Sequence, residues 1–324
     1  MELYPLKFTP LFKERVWGGE KLKTVLNKKY NTPHIGESWE ISAVPENLSV
    51  VETGFLEGNT IEELCEIYMG DLLGDKVYEK FGIDFPLLIK FIDAADDLSI
   101  QVHPNDELAY ERHNSYGKTE VWYVIDAEPN ATLVSGFERE VTAEEYETFL
   151  AENRLPELLK TISVKPGDVI YIPAGRIHAI GKGIVVAEIQ QSSDVTYRVY
   201  DYNRPGLDGK PRQLHTEEAL DCLDFSKLEN PLSEYANVLN KTCNITESEY
   251  FKLNILNFEK PVEKDYILID SFVIYMCVEG EFEIVENENI TKVSKGETVL
   301  IPAILKNLVL KPLNKAKLLE IYIP

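Results

Sequence analysis

The 324-residue chain is short of positive charge: 33 Lys and Arg stand against 55 Asp and Glu, a net charge of -22. Affinity for nucleic acid comes largely from basic side chains that displace counterions, so this balance excludes nucleic acid as a partner. Cysteine is scarce as well. Cys65, Cys222, Cys243 and Cys277 lie far apart, which excludes the close pairs of a zinc ribbon and the dense spacing of a disulfide framework. They read as reduced thiols. No apolar run approaches the roughly 18 residues that would suggest a membrane span. The start, Met1-Glu-Leu-Tyr-Pro-Leu-Lys7, has no basic stretch followed by an apolar one, so no signal peptide is expected and the protein reads as cytoplasmic. What is present is ordinary for a globular chain, 44% hydrophobic and 27% charged. The length allows two domains, or one domain of two halves. Composition leaves the oligomeric state open.

Residues 166–179 organise the sequence. Pro166 and Gly167 make a turn. Val169 to Ile172 is a β-branched apolar run that reads as a buried strand. Pro173 ends it, Gly175 bends the backbone, and His178 opens the next strand. Upstream, the alternation of Ser99-Ile-Gln-Val-His103 puts Ser99, Gln101 and His103 on one face. Glu120 heads the apolar run to Ile125. Gln101, His103, Glu120 and His178 thus offer two imidazoles, a carboxylate and an amide oxygen from three strands. That donor set suits a divalent metal of the Zn, Mn, Fe or Co kind and lacks the thiolates of a closed structural zinc site. Open positions would leave room for substrate or water.

The spacing of Gly167, Pro173, Gly175 and His178 resembles the second signature of the cupin barrel. Leu98-Ser-Ile-Gln-Val-His-Pro104, Gly117-Lys-Thr-Glu-Val-Trp-Tyr123, the same turn and Gln191-Ser-Ser-Asp-Val-Thr-Tyr-Arg198 together resemble type I mannose-6-phosphate isomerase. Val16-Trp-Gly-Gly19 and Gly36-Glu-Ser-Trp-Glu-Ile41 fit near the start. The chain is similar to the short bacterial form, without the large helical insertion of longer members. The resemblance implies an all-β fold of two cupin (jelly-roll) barrels with a few short helices. It also implies a metal-dependent aldose–ketose isomerase that interconverts mannose 6-phosphate and fructose 6-phosphate through an enediolate. The small-molecule partner is then a sugar phosphate, and the cofactor one divalent metal, Zn2+ first among the candidates.

Residue by residue, the resemblance makes Gln101, His103, Glu120 and His178 the metal ligands. It places Arg198 at the catalytic arginine and Lys118 at the lysine before the metal glutamate. Arginine is effectively always protonated, so Arg198 would hold the enediolate. A nearby cation would lower the pKa of Lys118 and make it a usable base. Ser99 and Arg204 stand where relatives hold the phosphate, Arg204 replacing a lysine common in longer members. Tyr116-Gly117 departs from the Asn-His and proline of those members, so contacts from that loop do not carry over. Two other readings compete: a different cupin metalloenzyme such as an iron oxygenase, and a non-catalytic sugar-binding bicupin. Gln101 and Arg198 speak against the first, and a metal set in only one copy against the second.

Gly296-Glu-Thr-Val-Leu-Ile-Pro302-Ala matches Gly167-Asp-Val-Ile-Tyr-Ile-Pro173-Ala without a gap. Asn307 then falls where His178 stands, and Val273 takes the place of Glu120. No histidine follows His215. The expected division is a metal-binding domain over 1–215, a helical connection over 216–240 and a degenerate, metal-free domain over 241–324. An anionic substrate must find a locally positive pocket on this acidic body, for which Lys90, Lys118, Arg198 and Arg204 are candidates. Local signals predict a helix from a Thr60 cap to Leu73, a capping box at Thr142 and Glu145, a loop or short helix over 104–118, and a continuous strand over 190–202. Trp17 and Trp39 read as core aromatics, His113 as an exposed loop residue and His215 as a helix flank.

Overall fold

The computed structural model describes residues 3–324, and they are mostly strand with a few helices. A six-stranded sheet runs in the order Leu11–Gly19, Ile35–Ile41, Leu87–Ala94, Ile184–Gln191, Glu120–Ala127 and Val169–Ile172. A five-stranded sheet holds Tyr197–Tyr200, Ile100–Val102, His178–Ile180, Thr132–Phe137 and Leu159–Ser163. The remaining strands, from Lys241 onward, form one sheet of five and one of four. The named strands pair antiparallel, and none of the four sheets closes on itself.

The two faces of the six-stranded sheet have different jobs, because side chains alternate along a strand. Ile89, Phe91, Val121, Tyr123, Ala187 and Ile189 face the second half and share one apolar cluster with its Leu253, Ile255, Ile274, Leu319 and Ile321. Full burial of such a side chain is worth about 1.5–3 kcal/mol, so a few of these contacts already hold the halves together. The Phe85 and Phe272 rings add a contact across the join, with centroids 4.7 Å apart. On the opposite face, Lys90, Glu120, Trp122 and Glu188 point between the first two sheets. The strand sequences read as buried on both sides because they are.

The second half repeats the register of the first. Val273 pairs with Ile301 as Glu120 pairs with Ile172, so the place of the carboxylate is held by an apolar side chain. Asn307 is exposed, and it is the next residue, Leu308, that is buried opposite Lys264. The interior of this half has its own charges. Lys264 and Glu320 form a buried ion pair, and Glu320 also accepts from Tyr266 at 2.7 Å and Asn254 at 3.0 Å.

Local signals fare unevenly. Thr60 caps the helix Ile61–Leu73 with both halves of a capping box; the helix bends at Met69 (φ 45°), and Asp75–Phe81 forms a second short helix. Thr142 accepts from the Glu145 amide at 3.2 Å, but the Glu145 carboxylate goes to Arg139, so only half the box forms. The strand expected over 190–202 is broken. Gln190 donates to the carbonyl of Ser193 at 2.6 Å and turns the chain out of one sheet, and it enters the other at Tyr197. Residues 216–240 hold one short helix, Thr216–Leu220; the rest is tied to the first half by bridges at Lys227 and Leu232. All four cysteines are free thiols. Among the described residues no helix is long and apolar enough to cross a membrane.

Candidate metal centre and substrate cleft

Two rungs of side chains face each other between the first pair of sheets. In the five-stranded sheet, Arg198 is paired with Gln101, Gln101 with His178, and His178 with Ser135. In the six-stranded sheet, Lys90, Glu188 and Trp122 lie in one row, with Gln190 and Glu120 in the next. Directly paired residues present their side chains to the same side, so Gln101, Glu120 and His178 converge although they come from distant parts of the chain, and His103, just past the strand Ile100–Val102, joins them.

His103, Glu120 and His178 are buried, and their candidate ligand atoms lie within 4.8 Å of one another. Nε2 of His103 is 3.5 Å from one Glu120 oxygen, and Nε2 of His178 is 3.3 Å from the other. Each ring is oriented from behind: Nδ1 of His103 donates to the carbonyl of Val195 at 3.0 Å, and Nδ1 of His178 to that of Arg176 at 2.7 Å. This leaves both Nε2 lone pairs aimed inward, the tautomer a metal ligand needs. Burial lowers the pKa of both imidazoles, that of His178 to about 4, so they are neutral at pH 7. The same burial raises the Glu120 carboxyl to about 7 against the pull of Lys118. His103 Nε2 and both Glu120 oxygens are buried without a hydrogen-bond partner. Such orphaned atoms are costly, and a cation is the partner their lone pairs share. The Gln101 amide sits beside His178 at 3.4 Å; a half-turn of that amide brings its oxygen to the same point.

Above the donors opens a cleft of about 490 Å³, lined among others by Ser99, Gln101, Lys118, Glu188, Arg198 and Arg212. Lys118 lies 3.3 Å from Glu120. Burial pulls its pKa down, but Glu120 and Glu188 outweigh that and hold it above the ordinary value. Arg198 donates to Ser99 Oγ at 3.3 Å and to the carbonyl of Gln213 at 2.9 Å. His215, at the helix flank, exchanges two hydrogen bonds with the Arg198 backbone.

Residues 5–141 match the family described as "Phosphomannose isomerase type I, catalytic domain", and residues 241–321 match "Mannose-6-phosphate isomerase, cupin domain". Mannose-6-phosphate isomerase ManA of Bacillus subtilis is 37% identical over 314 residues, covering 93% of this chain and 94% of that one. The chain belongs to the mannose-6-phosphate isomerase family. The Streptococcus mutans mannose-6-phosphate isomerase is 34% identical, with 94% of each chain covered. A crystal structure of the Bacillus subtilis mannose 6-phosphate isomerase superposes with a TM-score of 0.88 at 32% identity, over 98% of this chain and 99% of that one. A putative mannosephosphate isomerase from Archaeoglobus fulgidus superposes at 0.81 and 26% identity, over 100% and 99%.

Several cations of this mannose-6-phosphate isomerase family member are not where the sequence alone puts them. Lys90 is buried and its charge is consumed by Glu188 at 2.9 Å, with Gln190 at 2.6 Å. Arg204 does not line the cleft: its guanidinium is held by Asp201 at 3.0 Å and Asp96 at 3.2 Å, over the Tyr202 ring. Arg212, from a loop the sequence does not mark, shares Asp201 and does line the cleft, as does Arg15, which is paired with Glu37. The other residue missed is Glu188. It is buried and accepts from Lys90 and from Trp122 Nε1, both at 2.9 Å; burial pushes its pKa up, but the charges of Lys90 and Lys118 outweigh that and hold it below the ordinary value. Its signal was a lone charge in the otherwise apolar run Ile-Val-Val-Ala-Glu188-Ile. Trp17 and Trp39 are buried as expected, but both also wall the cleft. His113 is exposed at a helix end, 2.8 Å from the Tyr197 hydroxyl.

Proposed function

We propose that Gln101, His103, Glu120 and His178 hold one divalent cation, Zn2+ first among the candidates, and that the cleft above it interconverts mannose 6-phosphate and fructose 6-phosphate through an enediolate. The observation that carries this reading is the convergence of buried ligand atoms of His103, Glu120 and His178 within 4.8 Å, with Nε2 of His103 and Oε1 of Glu120 lacking any hydrogen-bond partner. A mixed nitrogen and oxygen donor set without thiolate fits zinc in an open site. When bound, the cation acts as a Lewis acid on the sugar oxygens and lowers the cost of the enediolate.

The chain's own residues supply the rest. Arg198 can span two neighbouring oxygens with its planar fork, which suits the enediolate and not the starting carbonyl. Lys118 is placed to carry the proton from one carbon to its neighbour once Glu120 is engaged elsewhere, because losing that partner favours the neutral amine. Glu188, kept ionised by Lys90, is a hydroxyl acceptor on the opposite wall. Ser99 and Arg212 hold the phosphate at the mouth of the cleft, and Arg204 steadies Arg212 through their shared Asp201. The positive residues thus form a local patch on an acidic body.

The two sheet pairs are read as two cupin sandwiches, a metal-binding one within 1–215 and a metal-free one within 241–324, joined by 216–240. A sugar-phosphate substrate supports a cytoplasmic protein. The relatives give no support to an oxygenase or a purely sugar-binding role. The deciding experiment is a coupled assay for fructose 6-phosphate formed from mannose 6-phosphate, before chelation, after it and after metal is restored. No turnover by the metal-loaded protein would sink the reading.

A further inference from the structure

The second half has no donor in the centre, yet one of its side chains reaches the segments that carry the donors. Tyr250 stands in a tight turn where the Ser248 hydroxyl accepts from the amides of Tyr250 and Phe251, both at 3.3 Å. Its phenol donates to Oδ2 of Asp106 at 2.9 Å, across 144 residues of chain. The other oxygen of Asp106 accepts two more hydrogen bonds, each of 2.8 Å, from the Gly117 amide and from Nε2 of Gln191. Gln191 in turn accepts from the Thr119 amide at 2.8 Å. Lys118 is therefore flanked on both sides by backbone amides fixed through Asp106.

Gly117 shows how close this packing is. A Cβ there would lie 2.5 Å from the Asp106 amide nitrogen and 2.6 Å from the Asn105 carbonyl carbon. The 117–119 segment is thus pressed against the start of the helix Asp106–His113, which follows His103 by three residues. Asp106 joins the chain just after one donor, the chain just before another, and the end of the strand that carries Glu188.

We propose that Tyr250 is a positioning residue: through Asp106, the metal-free half sets the segment Gly117-Lys118-Thr119-Glu120 and so the grip on the cation. The inference rests on the donor set proposed above. It assigns the second half a part in the chemistry beyond covering the apolar face. Partners of ligands, one step removed from the metal, are typically worth about 10–100-fold in affinity or activity when lost.

The test is Tyr250→Phe, which removes one oxygen and keeps the ring. In the metal-free protein, backbone hydrogen exchange at Gly117 and Thr119 should quicken while the rest of the strand Glu120–Ala127 is unchanged. Zinc affinity, from competition with a chromophoric chelator, should fall about tenfold, and kcat should fall with it while KM stays the same. Asp106→Ala should reproduce these effects, and adding Tyr250→Phe to it should change nothing more, since a pathway is cut only once. Unchanged exchange and zinc affinity in Tyr250→Phe, or additive losses in the double variant, would overturn the proposal. Failure of the donor reading looks different: the unaltered protein would bind no zinc, while the exchange measurement would still decide whether Tyr250 fixes the segment.

Discussion

Arg198 lies directly across from Gln101 on the neighbouring strand, and among the described residues no carboxylate holds its guanidinium in an ion pair. Every other arginine at the cleft has one: Arg15 has Glu37, and Arg212 has Asp201. Burial and the neighbouring Arg212 lower the pKa of Arg198, though not enough to discharge an arginine. A half-buried cation held only by a hydroxyl and a carbonyl is free to take an anionic partner. Arg198→Lys should therefore keep the metal and melt close to the parent, yet lose about a hundredfold in kcat, the scale of one preorganised donor. Steady-state kinetics with a melting curve on that variant decides; near-normal kcat would end the catalytic reading.

The donor set is tested by His178→Ala beside Asn307→Ala. Elemental analysis should find the first variant without metal and the second with as much as the parent, because Asn307 is exposed and pairs with Asp265 in the second half. Equal metal in parent and His178→Ala would remove the assignment.

Metal binding should displace a proton. The metal-free Glu120 carboxyl sits at about 7, raised chiefly by burial, whereas His178 is already neutral down to about 4. Only the carboxylate binds, so affinity should climb as pH rises to about 7 and then level off with respect to this group. Calorimetry in two buffers of different ionisation enthalpy should register about one proton released per metal at pH 6. The absence of any buffer dependence there would contradict it.

The phosphate end separates two arginines. Arg212→Ala should raise KM for mannose 6-phosphate about tenfold or more with kcat little changed, the mark of lost uniform binding. Arg204→Ala should act less on KM and more on the melting temperature, since its guanidinium braces Asp201 and Asp96. The reverse order would return the phosphate to Arg204.

The clustering of His103, Glu120 and His178 was legible because strand alternation and pairing are short-range rules: Ser99, Gln101 and His103 had to share a face, and a turn of Gly167, Pro173 and Gly175 had to deliver His178. The Val273 substitution was legible for the same reason, since register carries over between copies. What stayed hidden was pairing between loops. Arg204 and Arg212 look alike in a sequence, and only the folded Asp201 shows which one faces the cleft. Asp106 and Tyr250 are unremarkable polar residues until the two halves meet. The expected strand over 190–202 failed on a local bond, Gln190 to Ser193, that no periodicity reveals.

The ion pair between Lys264 and Glu320 has a consequence for how the protein comes into being. On the proposed donor set the first half takes a cation from outside to satisfy its interior, whereas the second brings its own, covalently attached and impossible to chelate or exchange. Removing one partner of such a buried pair typically costs about 3–5 kcal/mol, so Lys264→Ala should unfold this half under conditions where chelation leaves it intact. The half without the proposed donors should therefore fold independently of metal supply. Chains without metal should then still assemble the shared apolar core, and a melting curve of the chelated protein that keeps a cooperative transition is the expected result.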